Sequence, residues 1–474
     1  MKRAALVAVV VLAVVAALPW LTGRLTESHV RERLARMSDN PIVVAELRTY
    51  ERGWFSSTAK VDVGLSPQYL EQLSAGGPAP GVDLLEQRLP VHVGIRHGPL
   101  VVGDGVHFGT STIVARSDPD APLAATLRDQ YGMPYIFELR GRAGFGGGFD
   151  FDADVPSVDY GDGTNEIAFS GAVVEGTLDG DHLVAEGSVA RFDQSGVFVT
   201  TLIENVRMTG DYELRPNDFA LGDARLDIER VVISSALLGA DPVFSANGLR
   251  FDGSIALDEA TTALSIATGY GAQSLTAGAG FALTDADLRM TIAGLDATAM
   301  RDYYGVMQGA MGAPADAETI LLALEPVLLR LLGRGPSLVL DPVRFSMNGA
   351  PVTARVRVEV DPAAVPPGRA DFQNPGLWLA IATVTADAEV AKPLVEQAAA
   401  QFVRMQLAAV GAGTDEPLSE DELDVMAEAQ AGFLLVTLTG QGFLEDSGES
   451  YTTEARFAAG ELTVNGTPVP LALQ

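Results

Sequence analysis

Val352-Thr353-Ala354-Arg355-Val356-Arg357-Val358-Glu359-Val360 decides the fold class of this chain. Laid out as an extended strand, it puts Val352, Ala354, Val356, Val358 and Val360 on one face and Thr353, Arg355, Arg357 and Glu359 on the other. A helical period of 3.6 would scatter both sets, whereas a period of two sorts them completely. Such a strand is apolar on one side and wet on the other, which is the pattern of a half-buried antiparallel sheet.

The same alternation recurs outward from this stretch. Ala59, Val61, Val63 and Leu65 alternate with Thr58, Lys60, Asp62 and Gly64. Val91, Val93 and Ile95 alternate with His92, Gly94 and Arg96, and Leu226 and Ile228 with Arg225, Asp227 and Glu229. Asp104-Gly105, Asp179-Gly180, Asn247-Gly248, Asp252-Gly253, Asn348-Gly349 and Asn465-Gly466 tolerate positive φ and predict tight hairpin turns.

Helical spacing interrupts the strands in two places. Thr298–Gln308 leads into Pro314–Leu332, where Pro314 suits a first turn and Ile320, Leu321, Leu324, Val327, Leu328 and Leu331 form a stripe. Pro393–Val410 carries Leu394, Ala398, Phe402 and Met405 on one face. A further helix, Leu418–Ala431, contains Ser419 and Glu422 at capping-box spacing. Each stripe is expected to lie as a lid on a sheet.

The chain opens Met1-Lys2-Arg3 and then runs apolar from Ala4 to Leu21, with Trp20 near the end and Arg24 as the next charge. About 20 residues of helix rise about 30 Å, the thickness of a bilayer core. Residues 4–23 are therefore expected to be a transmembrane signal anchor, with the basic start on the cytoplasmic side. The alternatives are a signal peptide cleaved at Val15-Ala16-Ala17, though Pro19 follows closely, and a buried core helix. Leu25–Met37 reads as a juxtamembrane helix ending at Asp39-Asn40-Pro41.

Composition narrows the function classes. The chain has 474 residues, a net charge of −30, 47% hydrophobic residues and no Cys. That charge repels nucleic acid, so no nucleic-acid partner is expected. The missing thiols exclude disulfides, thiolate nucleophiles and thiolate metal sites. His92 and His97 point to opposite faces of one strand, and Asp150, Asp152 and Asp154 lack the Gly and Glu of a calcium loop. The glycine-rich run 141–148 has no following Lys-Ser or Lys-Thr, so it is not a phosphate loop. No motif implies a metal, a cofactor or a catalytic residue.

One segment stands apart. Tyr50-Glu51-Arg52-Gly53-Trp54-Phe55-Ser56-Ser57 sets two large aromatics beside a glycine and then enters a strand. The expectation is a bulge or corner with Trp54 and Phe55 in the core, and the alternative is an aromatic docking patch near the membrane. His97 before Gly98-Pro99 is expected to satisfy backbone groups at that bend. Tyr50, Arg52, Gly53, Trp54, Phe55, His97, Gly98 and Pro99 are thus the candidate interaction or structural residues.

With the N-terminal apolar segment, Tyr50–Ser57, His97-Gly98-Pro99-Leu100 and the closing Gly460-Glu461-Leu462-Thr463-Val464-Asn465-Gly466-Thr467-Pro468, the chain resembles the YdgA-like family of bacterial envelope proteins. The resemblance implies an inner-membrane anchor and a periplasmic body, and no catalytic residues. Residues 144–296 match it only in general character.

The expected fold is α+β, mainly antiparallel β: an N-terminal transmembrane helix, then an extended, curved β-sheet body with a few covering helices. Its divisions are an anchor at 1–23, a juxtamembrane helix at 24–40, a β-rich region at 41–297, a helical insert at 298–335, and a β-rich region at 336–474 with helices at 393–410 and 418–431. The expected role is non-enzymatic binding of a hydrophobic envelope component or lipid along a β surface. Alternatives are a protein–protein scaffold, with self-association, and an envelope hydrolase built on carboxylates.

Overall fold

A computed structural model describes residues 27–28, 31, 34, 43–67, 69–70, 87–98, 100–103, 105–215, 219–239, 242–278, 280–312, 317–411 and 419–470. It divides into two compact units, 1–229 with 233–240 and 308–314, and 230–232 with 241–307 and 315–474.

The first unit contains β1 (Val43–Arg52), β2 (Ser56–Leu65), β3 (Leu89–His97), β4 (Leu100–Gly103), β5 (Gly105–Phe108), β6 (Ser111–Ser117), β7 (Glu138–Ala143) and β8 (Phe149–Val155). After them come β9 (Val158–Gly161), β10 (Glu166–Phe169), β11 (Ala172–Asp179), β12 (His182–Ser195) and β13 (Val199–Glu213). Helix α1, Pro122–Tyr131, joins β6 to β7 and starts on a proline, which is preorganised for a first turn. The sheet runs β1-β2-β3-β6-β7-β8-β11-β12-β13, antiparallel throughout. β4 and β5 form a separate hairpin, and β9 and β10 flank the far end of β12. β14, Leu221–Ser235, contributes to both units.

The second unit has β15 (Pro242–Asp258), β16 (Ala263–Ala277) and β17 (Phe281–Asp296), then helices α2 (Ala297–Gly312) and α3 (Ala317–Leu332). β18 (Ser337–Met347), β19 (Ala350–Val360), α4 (Pro375–Ile381), β20 (Ala382–Ala391), α5 (Lys392–Gly411) and α6 (Glu420–Gly440) follow. β21 (Glu445–Asp446), β22 (Ser450–Ala458), β23 (Glu461–Val464) and β24 (Thr467–Val469) close it. Its strands pair antiparallel in the order β15-β16-β17-β18-β19-β20-β22-β23-β24.

Both units are mainly antiparallel β with helices, the expected class. β19 shows the alternation that Val352–Val360 predicts, each Val and Ala half-buried and each polar neighbour exposed. Asn348-Gly349 and Asn465-Gly466 close two-residue turns with φ of 51° and 83°, and 46° and 76°. Asn247-Gly248 and Asp252-Gly253 differ from expectation, because both pairs lie inside β15 rather than at turns. Gly248 keeps a positive φ of 60° there and interrupts the ladder between Asn247↔Ser274 and Arg250↔Gly271. Pairing with β16 before and after this break outweighs the local preference of the dipeptide for a turn.

α3 buries Leu324, Val327 and Leu331 as its stripe predicts, but Leu321 is exposed. Two of the other helices pair with each other. Val403 of α5 packs with Ala427 and Ala431 of α6, with Ala399, Ala400, Leu407 and Leu434 around them, so these two helices cover one another. Phe402 and Met405, expected on the buried face of α5, are exposed. α6 runs nine residues past the expected end, and Ser419 with Glu422 forms the capping box.

Among the described residues no helix is long and apolar enough to cross a membrane. The predicted anchor, residues 4–23, lies outside them. So does most of 24–40, where Glu27, Ser28, Arg31 and Leu34 are helical.

Candidate functional site

The singled-out motif occupies the tip of the β1–β2 hairpin and the end of β3. Arg52 pairs with Ser57 as the last rung, which leaves Gly53, Trp54 and Phe55 beyond the ladder. The Gly53 N–H donates to the Ser56 carbonyl at 2.7 Å, and a Cβ at Gly53 would stand 2.7 Å from that same oxygen. Only glycine fits this turn, which explains Gly53 beside two aromatics.

Trp54 and Phe55 are 53% and 63% exposed, so the expectation of a core corner is wrong. They lie past the last rung of the hairpin, where no facing strand among the described residues pairs with them. Their exposure is what an aromatic docking patch requires.

His97 closes the motif from β3. Its backbone N–H donates to the Phe55 carbonyl at 2.7 Å, and its Nε2 stands 2.7 Å from Ser57 Oγ. Both side chains are at most 3% exposed. His97 therefore bonds a side chain rather than the backbone groups of the bend, because Ser57 is the neighbouring polar group on the same buried face. Burial pushes the His97 imidazolium down and the Tyr50 phenol up. Among the described residues, His97 Nδ1 and the Tyr50 hydroxyl are buried without a partner. Gly98 follows with φ of 139°, its N–H donating to the Thr110 carbonyl at 3.2 Å. Pro99 lies outside the described residues.

A serine nucleophile needs an oriented base and access for substrate. Ser57 and His97 have the contact, but no carboxylate meets Nδ1 and neither group reaches solvent. The pair acts as a polar latch joining the β2 and β3 ends. Glu27 bonds Arg52 at 3.2 Å, and the Arg31 guanidinium stands 5.7 Å from the centre of the Tyr50 ring. The helical segment thus lies against the face that carries Tyr50, Arg52 and Ser57.

That face continues across the first unit. Ser57, Ile95, Ile113, Gly141, Phe151, Gly176, Ala185 and Gly210 stand in one cross-strand row from β2 to β13. The next row is His97, Ser111, Ala143, Phe149, Leu178, Leu183 and Tyr212. Ala59, Val61, Val91 and Ile95 are buried, so the core sits under β1–β3. From β8 to β13 the apolar side chains of this face are only half-buried, and Met208 is 50% exposed. Phe149 lies over Gly141 and Phe151 over Gly176, where a Cβ would collide with the rings.

The opposite face is mainly polar, with Val114, Val173 and Val184 exposed on it. Lys60, His92, Arg116, Glu138 and Asp154 form one row. Glu138 is 2% exposed and paired with Arg116 and Arg140, and Tyr135 donates to Asp154 at 2.7 Å. Asp150, Asp152 and Asp154 lie on this wet face, opposite Phe149, Phe151 and Ala153. In the second unit, a cleft of about 930 Å³ beside α5 and α6 gathers Glu396, Asp424, Glu428 and Asp446. Arg404 holds Asp424 at 2.8 Å and Lys392 holds Asp446 at 2.6 Å, so two of these acids are tied up in ion pairs.

The sequence reading missed Ser57 as the partner of His97, and it missed the exposed Phe108 and Phe145. The available signal was a lone aromatic beside glycine, as in Phe108-Gly109 and Gly144-Phe145-Gly146.

A long antiparallel sheet with one half-open apolar face and an aromatic-tipped end defines a β-rich protein without a recognisable catalytic centre among the described residues. Residues 1–472 match the family described as a bacterial protein of unknown function (DUF945), and the chain belongs to that family. No curated protein and no solved structure matches it.

Proposed function

We propose that this is a YdgA-like, inner-membrane-anchored protein whose periplasmic body binds a hydrophobic envelope component, such as a lipid acyl chain, without chemical conversion. The observation that carries the reading is the apolar face from β8 to β13. Val174, Leu178, Leu183, Val189 and Val206 stay only partly buried there. Apolar area left partly in water costs about 25 cal/mol per Å², so a ligand that covers it is favoured. The YdgA-like assignment rests on Tyr50–Ser57, His97–Leu100 and Gly460–Pro468, and the anchor on residues 4–23.

The test is lipid extraction and mass spectrometry of the full chain purified in mild detergent, beside a Val174→Asp/Val189→Asp variant. A lipid species retained by the wild type and lost from the folded variant supports the reading. Identical lipid content in both overturns it.

A second reading, self-association or scaffolding, is favoured by a different surface. Phe402, Met405, Val425, Phe433 and Val436 are exposed on α5 and α6. Mass measurement of the full chain in detergent distinguishes this reading, since a strict monomer removes it.

A further inference from the structure

Whereas one end of the first unit's sheet exposes Phe198 among the aliphatics Val197, Val199, Leu237 and Leu238, the opposite end gathers exposed aromatics from three successive tips. The β1–β2 tip, the β3 end and the β7–β8 turn stand together there, as the pairs Arg52↔Ser57, His97↔Ser111, Ser111↔Ala143 and Ala143↔Phe149 require. Each piece carries a large aromatic that water reaches: Trp54 and Phe55 on the first, Phe108 just before Thr110, and Phe145 on the third. Phe108 is 73% exposed and Phe145 63%. Strands about 4.8 Å apart spread these positions over about 24 Å from β1 to β8. Isolated exposed aromatics are ordinary, but four at successive tips of one sheet end form an exposed aromatic patch.

Two further observations say what meets this end. The Glu27–Arg52 ion pair brings the chain to the tip four residues after the apolar run 4–23 closes, a distance of at most about 14 Å. Charge is also segregated. Residues 1–143 hold basic and acidic side chains in near-equal number, so the whole of the net −30 falls on 144–474. Arg52, Arg96 and Arg142 stand at this end of β1, β3 and β7, whereas Asp179 and Asp181 at the β11–β12 turn lie beyond the aromatic stretch. An acidic body is repelled by anionic headgroups, and at this end Arg52, Arg96 and Arg142 offset Glu27, Glu51 and Asp150. Large aromatics favour the interfacial zone of a bilayer.

We propose that this aromatic end docks into the interface of the membrane that holds residues 4–23, inserting Trp54, Phe55, Phe108 and Phe145 among the headgroups. The inference rests on the anchored reading given above and adds an orientation to it. The row Phe149, Leu178, Leu183 and Tyr212 is the apolar row next to the docked end, so the half-open face meets the leaflet there. An acyl chain could then pass from bilayer to sheet without crossing water.

The experiment uses the full chain in vesicles of phosphatidylethanolamine and phosphatidylglycerol, with and without brominated acyl chains. The three tryptophans, Trp20, Trp54 and Trp378, allow single-tryptophan variants in which the other two are replaced by Phe. Docking predicts that Trp54 emission shifts to the blue and falls about twofold in brominated lipid, as Trp20 emission does, while Trp378 emission is unchanged. Phe55→Ser/Phe108→Ser/Phe145→Ser should remove most of the Trp54 quenching and leave that of Trp20. Quenching of Trp20 without Trp54 overturns docking and keeps the anchor. Quenching of neither overturns the anchor and docking together. A blue shift of Trp54 that grows with protein density without bromine quenching assigns the patch to a second copy and overturns docking.

Discussion

Ser57 Oγ and His97 Nε2 stand 2.7 Å apart, 40 residues apart in sequence, with each side chain at most 3% exposed. Ser57→Ala removes the only side-chain partner that His97 has among the described residues and leaves a buried imidazole unsatisfied. The expected cost is about 1–3 kcal/mol, read as a lower urea midpoint with an unchanged slope.

The same pair sets a pH dependence. His97 has its folded pKa pushed below the ordinary value of about 6.5 by burial, so the unfolded chain takes up the proton first. The contribution is complete above that value. It declines as pH falls from there to the folded pKa and then levels off. Asp118 is held low chiefly by its hydrogen bond to His92, so its contribution is present above about pH 4 and lost as pH falls through its folded value. Urea midpoints measured from pH 8 to 3 should show the upper loss in the wild type and not in His97→Asn, while the lower loss persists in both.

Gly141 lies beneath the Phe149 ring, and a Cβ there collides with it. Gly141→Ala should destabilise by about 1–3 kcal/mol. Phe149→Leu in the same chain should recover part of that cost, because it removes the colliding ring. A double-mutant cycle by chemical denaturation reads the coupling, and simple additivity of the two changes would contradict the contact.

The Ser419 side chain accepts from the Glu422 N–H, and Glu422 reaches back to the Ser419 N–H at 3.0 Å. Ser419→Ala should lower stability by about 1 kcal/mol, and Ser419→Asp should largely preserve it. Helix content by circular dichroism, followed through a thermal scan, distinguishes the two.

Much of the fold was legible in local pattern. Val352–Val360 is a strand with the expected faces, and Asn348-Gly349 and Asn465-Gly466 turn where their positive φ allows. Ser419 and Glu422 cap the helix that their spacing announces. Failures came where a long-range partner decides. Asn247-Gly248 has turn chemistry but lies inside β15, whose pairing with β16 resumes at Arg250. Phe402 and Met405 share a helical stripe, yet α6 takes the adjacent face of α5 through Val403 and Leu407.

The feature most evident in the linear chain, Tyr50–Ser57, shows the division most clearly. Its composition determined that two aromatics flank a glycine next to a strand, and the apolar run 4–23 determined the expectation of an anchor. Only the tertiary structure decided that Trp54 and Phe55 lie past the last rung of a hairpin, that His97 reaches Ser57, and that Phe108 and Phe145 stand at the same end. Period and turn preference are properties of neighbouring residues, so the sequence carries them directly. Which faces stay open to water depends on strand order and register across residues far apart in the chain, and pairing alone sets these.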